Sequence, residues 1–536
     1  MARAEPLVRA SNAAELDPIT LEVYWNRLIT IMDEADLAVV RTAMSTIVAE
    51  SRDFAVMLMD ANAVGLTQAV LSLAHFTAMI PRTTRLMLKR FPPETLQEGD
   101  VLLTNDPWQG TGHLPDLTVV RPAFHKGKLV AYIGTAAHVP DIGGTITYFG
   151  AHDVFEEGLR LMPCKIYRAG EPNQDVLEIL AANVRVPELV LGDLRSLVAA
   201  ATVAERQLGE FLDDAGLSDI QEISTAIQDL SERTMREAIA KIPSGTYRHS
   251  VLIDGHPDRS ASPDHAPDPH LIAVKVSVDG DRMTVDFEGT SPETRNAAVN
   301  GTWALTAGET HTALKAALVP DIPSNEALFR PIEVLAPEGS ILNCRFPSPV
   351  KGRSITSLHC HEAVFGALAE TIPDQVQAGT GIALILVIHG QHPGGKPFNS
   401  FLIAAGGVGA LSQRDGLNVA NFPINTSIAP TEILENQVPL LLMRKEMLPD
   451  SRGRGRRQGG MGQRLVLRTA GQTPATITMR PNNRQFPPPG ILGGEPGTLC
   501  TVMLNGHPYA PTVVTLQPGD EITFDLPGGG GFGPVP

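Results

Sequence analysis

"TNDPWQGTGHLPDLTVV" at residues 104–120, followed by "AYIGTAAHVPDIGG" at 131–144, decides how the rest of the chain is read. Each stretch sets an apolar strand against a Gly/Pro-rich turn carrying one His and at least one Asp. The pattern predicts strands at 100–105, 117–124 and 128–137, with "HKGK" (125–128) turning between the last two. A hairpin over 117–137 returns the chain beside its own start, so His138 ends a strand adjacent to the one that Asp116 begins. Pro115 stiffens the turn that holds His113 and Asp116. Either these residues do ordinary turn work, or His113, Asp116 and His138 converge on a divalent metal. Two imidazoles and a carboxylate suit Zn²⁺, Mn²⁺ or Fe²⁺, and three protein ligands leave positions open, as a catalytic site requires. Asp141 and Asp106 are candidates for further ligands or for orienting an imidazole.

Upstream, "DPITLEVYWNRLITIMDEADLAVVRTA" reads as a long helix capped by Asp17, with Pro18 in its first turn. "DFAVMLMDANAVGL" (53–66) reads as a strand with an Asp-Ala-Asn turn, and "LAHFTAMIPRTTRLMLKRF" as a second helix. Glu50, Arg52 and Asp53 stand at the mouth of that strand, either as an ion pair or as a catalytic carboxylate with a basic neighbour. Downstream, helical runs are expected over 174–214 and 218–241, then strands from "IPSGTYRHSVLIDG" onward. "LIAVKVSVDGDRMTVDFEGT" is a hairpin joined at Asp279-Gly280-Asp281, and "HPDRSASPDHAPDPH" (256–270) a surface loop. Residues 301–430 mix helix with strand, and the last hundred are short strands punctuated by Gly and Pro. The expected fold is α+β and multidomain, with mixed and antiparallel sheets: a helical N-terminal unit carrying the metal site (1–241), a β-rich segment (242–300), a mixed region (301–430) and a β-rich C-terminal region (431–536).

The 536 residues exceed one ordinary core. A net charge of −16 argues against sequence-independent nucleic-acid binding and against anionic membranes. The one basic cluster, "RKEMLPDSRGRGRRQGG" (444–460), is interrupted by acids and reads as a solvated loop. Four scattered cysteines without a Cys-x-x-Cys, no apolar signal core and no bilayer-length run point to a reduced, cytoplasmic protein. "LHCHEAVFG" (358–366) fails to complete His-Glu-x-x-His because Phe365 takes the last place, so it reads as a helix start with an exposed His. "GGMGQR" (459–464) and "GGGGFG" (528–533) lack a nucleotide loop's strand-before, helix-after context and read as tight turns needing positive φ.

Taken in order, "DPITLEVYWNRL", "SRDFAVMLMD", "LTNDPWQGTGHLPDLTVV", "AHVPDIGG", "NVRVPELVLGDL", "VDFEGTSPETR", "FRPIEVLAPEGSILN", "NFPINTSIAPTEILE" and "LPDSRGRGRRQGGMG" make the chain resemble the B subunit of the hydantoinase/oxoprolinase family from about residue 17 to the end. Relatives include ATP-dependent hydantoinases, 5-oxoprolinase, caprolactamase and the larger acetone and acetophenone carboxylases. The resemblance implies an A-type ATPase subunit as partner in a hetero-oligomer, with ATP bound by that partner, which phosphorylates a carbonyl or amide oxygen. The B subunit then handles the activated small molecule, here a cyclic amide such as a hydantoin, 5-oxoproline or a lactam. A His-x-x-Asp motif with a second His twenty-five residues beyond the first binds metal in the acetone carboxylase branch, and His113, Asp116 and His138 match it (138 − 113 = 25). Asp53 and Asp141 become the candidate base or orienting group, with Glu157 behind them. Arg52 and Arg185 become candidates for a phosphate or carboxylate, because a guanidinium fork matches planar oxyanions. The chain departs from relatives at Gly110-Thr111-Gly112 before His113, and at Leu71, where an earlier His is usual, although His75 matches a later one. Its length favours amide hydrolysis, with ketone carboxylation as the alternative.

Overall fold

The computed structural model describes residues 16–147, 150–255, 268–295, 299–470 and 473–536. His256 and His265 of the Pro/Asp/His loop therefore lie outside the described residues, as do residues 1–15, part of the stretch read for a signal peptide. Among the described residues no helix is long and apolar enough to cross a membrane. All four cysteines are free thiols.

The helices are α1 (Pro18–Thr42), α2 (Thr46–Ala49), α3 (Phe76–Arg90), α4 (Gln174–Asn183), α5 (Pro187–Ala215), α6 (Gln221–Ile239), α7 (Trp303–Leu318), α8 (Ser354–Ser357), α9 (His359–Leu368) and α10 (Thr431–Gln437). Asp17 caps α1 as expected, its carboxylate accepting from the amides of Ile19 and Thr20 at 3.1 Å. The run expected over 174–214 is two helices, not one. Pro187 disfavours helical backbone at the residue before it, and Val186 leaves the helical region at φ −126°, ψ 63°.

The first sheet holds β1 (Phe54–Asp60), β2 (Gly65–Gln68), β3 (Val101–Thr104), β4 (Asp116–His125), β5 (Lys128–His138), β6 (Cys164–Arg168) and β7 (Glu171–Pro172), in the order β2-β1-β5-β4-β3-β6-β7. Its central strands are buried on both faces. Phe54, Val56 and Leu58 of β1 join the core under α1 and α5, while Ala55, Met57 and Met59 face α3. Strand alternation sorts them this way. Gly134 marks where α3 crosses, since a Cβ there would lie 2.3 Å from Ile80 Cγ2.

A second sheet, β8 (Gly245–Ile253), β9 (His270–Asp279), β10 (Arg282–Asp286) and β11 (Ile332–Leu335), carries α7 and α9 on its apolar face. The remaining strands are β12 (Leu384–Gln391), β13 (Pro397–Ala404), β14 (Leu440–Leu448), β15 (Gly462–Thr469), β16 (Ala475–Arg480), β17 (Thr501–Leu504), β18 (His507–Pro508), β19 (Val513–Leu516) and β20 (Glu521–Asp525). They form a third sheet, β13-β12-β16-β19, and a fourth, β14-β15-β20-β17-β18. The third thus draws strands from both sides of the division expected at 430. Leu384, Leu386 and Ile388 of β12 face the fourth sheet's core, whereas Val387 and Phe401 pack against the first. That contact roofs the site.

The glycine-dense segments are corrected by the structure. Gly459, Gly460 and Gly528 to Gly531 do not adopt positive φ; of these two runs only Gly533 does, at 72°. They lie where backbones interlock: a Cβ on Gly459 or Gly460 would come within 1.9 Å of a carbonyl oxygen, and on Gly530 within 2.0 Å. Close approach, not turn geometry, requires the glycines.

Candidate metal centre between two cavities

The register of the first sheet builds the site. Asp116 pairs directly with His138 across β4 and β5, and Phe54 of β1 pairs with Ala137, so Asp53 comes level with His138. The His138 amide donates to the Asp53 carbonyl at 3.1 Å. Asp53, His138 and Asp116 thus form a row across three neighbouring strands, and alternation turns all three to the α3 face. His113 closes over them from the turn before β4. Its Nδ1 lies 3.0 Å from Asp116 Oδ2, that of His138 lies 3.3 Å from Oδ1, and the two rings are 4.9 Å apart. One donor atom from each of the three residues falls within 4.8 Å of the others.

The turn needs its glycine. Gly112 has φ 104°, and a Cβ there would sit 2.9 Å from Arg353 Cδ. This close approach brings Arg353 Nη2 to 2.5 Å from Asp116 Oδ2, which also accepts from the Thr111 hydroxyl at 2.8 Å. Burial, reinforced by Arg353, pushes the His113 imidazole down to about 3, so it is neutral with a lone pair to give. Although burial opposes it, His113 and Arg353 hold the Asp116 carboxyl well below the usual carboxylate range. With His113 neutral, Arg353 is the charge that counts. Burial pushes Asp53 up to about 6.

Two cavities meet here. The inner is lined by Asp53, His75, Glu309, Arg353, Ser354 and Arg480 among others, together with all three members of the triad. The outer is lined by Asp141, Lys351 and Asn399 among others. His113, His138 and Phe401 border both, so the triad stands in the partition. Phe401 seats the His138 ring edge-on at 5.1 Å.

The other expected residues are placed differently. Asp141 lies on the outer cavity, where Arg185 holds it at 2.7 Å through Nη1 and also donates its amide; Arg185 reaches on to the Gly144 carbonyl. Glu157 is buried behind that wall and accepts from the amides of Val350 and Lys351 at 2.8 and 2.7 Å. Burial pushes Glu157 up and Lys351 down, favouring their neutral forms. Arg52 borders neither cavity, because its guanidinium is taken by Asp36. Asp106 organises its own turn, accepting from the amides of Trp108 and Gln109 and pairing with Arg160. His359 and His361 do begin a helix, but both are buried rather than exposed. His361 lies 3.5 Å from Glu309, and His75 3.8 Å from the same carboxyl.

Arg353, Arg480 and Glu309 escaped the sequence reading. Burial pushes Glu309 up to about 8, and His75 and His361 down to about 3. The one signal available for Glu309 is Gly308, whose Cβ would meet the His75 carbonyl at 2.8 Å, so α7 and the start of α3 touch there.

The donor set fits a divalent cation. His138 Nε2 is buried without a hydrogen-bond partner, His113 is neutral, and Asp116 is ionised with only one oxygen committed to Arg353. Compared with known proteins, residues 17–535 match the family model of hydantoinase B/oxoprolinase. The chain is 29% identical to caprolactamase subunit beta of Pseudomonas jessenii over 543 residues, which is 97% of this chain and 91% of that protein. It is 27% identical to 5-oxoprolinase of Dictyostelium discoideum over 538 residues, 97% of this chain and 40% of that protein. The crystal structure of ATP-dependent caprolactamase from Pseudomonas jessenii superposes with a TM-score of 0.86 at 28% identity, covering 97% of this chain and 91% of that one. A nucleotide-free structure of acetone carboxylase shares the fold, with a TM-score of 0.87 at 18% identity over 96% of this chain and 76% of that one.

Proposed function

The chain belongs to the hydantoinase B/oxoprolinase family, and from that premise we infer that it is the metal-bearing B subunit of an ATP-dependent cyclic-amide hydrolase. Its substrate is a hydantoin, 5-oxoproline or lactam whose amide oxygen an A-type ATPase partner has phosphorylated. The observation that carries this reading is the row of Asp53, His138 and Asp116 across three strands with His113 closing over it. Relatives named as a caprolactamase subunit and a 5-oxoprolinase support the substrate class.

An amide carbonyl is a poor electrophile, and phosphorylation of its oxygen leaves an imidate-like carbon. His113, Asp116 and His138 would hold a divalent cation (Zn²⁺, Mn²⁺ or Fe²⁺), which would supply Lewis acidity there. Asp53 takes a proton from the attacking water, a task suited to a carboxyl near 6. If phosphate left first, the amide would simply re-form. The ring nitrogen must leave first, so the proton on Asp53 is passed to it as the C–N bond breaks. A second water then splits the acyl phosphate into carboxylate and phosphate. Asp141 and Arg185 hold the outer wall, and Glu157 fixes the backbone of Lys351 on the same side.

Co-purification with the A-type partner and assay on hydantoin, 5-oxoproline and caprolactam tests this reading. ATP-dependent ring opening without bicarbonate is expected, along with its loss in Asp116→Ala together with the bound metal. Turnover that requires bicarbonate, or full activity in Asp116→Ala, would sink it.

A further inference from the structure

The outer cavity is roofed in part by β13. Asn399 and Phe401 lie two residues apart on that strand, so they share one face, and both line the cavity with Val387 of β12. Asn399 is 9% exposed. Its Nδ2 donates to the Pro140 carbonyl at 2.8 Å, and because a carbonyl only accepts, that bond fixes which way the amide is turned. Oδ1 is left buried, with no hydrogen-bond partner among the described residues. An acceptor so placed in a cavity wall is satisfied by a donor that arrives with a ligand. Lys351 supplies the complementary donor. It lines the same cavity, Glu157 anchors its backbone amide at 2.7 Å, and its Nζ donates to the carbonyl of Thr145, the residue before Ile146 of the wall. Asp141, the carboxylate on this wall, is paired with Arg185 instead. With one N–H given to Thr145, Nζ keeps at least one more, whether as amine or as ammonium. Val139, Ile142, Ile146 and Val387 make much of the remaining wall apolar.

We propose that Asn399 and Lys351 are the specificity residues of the outer cavity, reading a ring N–H and a ring carbonyl beyond the scissile amide, and that they select a cyclic ureide of the hydantoin type. The inference rests on the hydrolase reading and narrows its three substrate classes to one. Hydantoin carries a second N–H beside a second carbonyl, one for Asn399 Oδ1 and the other for Lys351 Nζ. A simple lactam sets methylenes against both groups. 5-Oxoproline offers Lys351 a carboxylate but brings no second N–H for Asn399. A buried polar group that the wrong ring leaves unpaired discriminates far more strongly than a difference in apolar contact.

Hydantoin, 5-oxoproline and 2-pyrrolidinone are five-membered rings of similar size that differ in these groups. Each is titrated calorimetrically into the full chain, and its kcat/KM is measured in the complex with the A-type partner. Hydantoin should lead 2-pyrrolidinone by about tenfold or more in both measurements, with 5-oxoproline between them. Asn399→Leu, which nearly keeps the volume and removes the acceptor, should act mainly through KM and shrink the lead over 2-pyrrolidinone to about threefold or less. Lys351→Met should weaken hydantoin and 5-oxoproline alike, whereas Asn399→Leu should spare 5-oxoproline. The ranking of the three rings on the wild type decides the matter even if neither variant folds. The assignment is overturned if hydantoin shows no preference over 2-pyrrolidinone in either measurement, or if folded Asn399→Leu keeps the wild-type ratio. The expected binding order without ring opening would strike the hydrolase reading alone, and ring opening without the preference would strike only the ureide assignment.

Discussion

Replacing Arg353 with Met probes the electrostatics of the centre directly. The side chains of Arg353 and Asp116 are 6% and 1% exposed, so solvent does little to screen the pair. Met fills much of the same space, and Asp116 is left beside the neutral His113 imidazole and the Thr111 hydroxyl. Removing one partner of such a buried pair costs about 3–5 kcal/mol, a large share of a typical total of about 5–15. A cation at the triad replaces the lost charge. In the wild type, guanidinium and cation compete for one carboxylate; in Arg353→Met the cation has it alone. Metal should therefore bind at least tenfold tighter to the variant, a gain of about 1.4 kcal/mol. Competition against a chromophoric chelator measures the affinity, and urea unfolding with and without metal measures the stability. Weaker metal binding in the variant would mean that Arg353 positions Asp116 rather than competing for it. A metal-free stability within about 0.5 kcal/mol of wild type would refute the buried-pair argument.

Glu309→Gln should flatten the pH dependence of stability between about 4.5 and 8 in chemical denaturation. The folded carboxyl is raised to about 8, chiefly by burial and against Arg353, so its proton favours the fold at low pH and that contribution is lost as pH rises through the window. The groups facing it, His75, His361 and Cys360, stay neutral there. Gly134→Ala should cost about 1–3 kcal/mol in urea unfolding, because the added methyl meets Ile80 and Met59, and combining it with Ile80→Ala should cost less than the two losses summed. Asp53→Asn should retain bound metal by elemental analysis while ring opening by the complex falls at least a hundredfold.

The readable parts of this site are the local ones. Alternation over 117–137 and the "HKGK" turn specify a hairpin whose register alone sets Asp116 beside His138, so these two were legible from a few dozen residues. Asp17 and Pro18 announced α1 for the same reason. Arg353, Glu309 and Arg480 were not legible. They reach the site from segments more than 150 residues away, and nothing in "KGRSITS" says which carboxylate its Arg will meet. Arg52 shows the same limit from the other side: its position beside Asp53 suggested an anion holder, yet the long side chain turns to Asp36 on α1. The exposed His expected at the start of α9 is instead buried, because what covers that helix is decided by tertiary packing.

The interlocked glycines have a consequence for how the protein comes into being. Between residues 529 and 533, backbone amides donate to carbonyls of Gly460, Gly379, Glu495, Arg457 and Ile491, while Gly407 and Ala410 donate back to Pro527 and Gly530. The keystone of the third and fourth sheets thus follows, in the order of synthesis, every strand that it locks. Translation that stalls short of it should leave those strands open-edged and sticky for chaperones, however completely the N-terminal half has already matured.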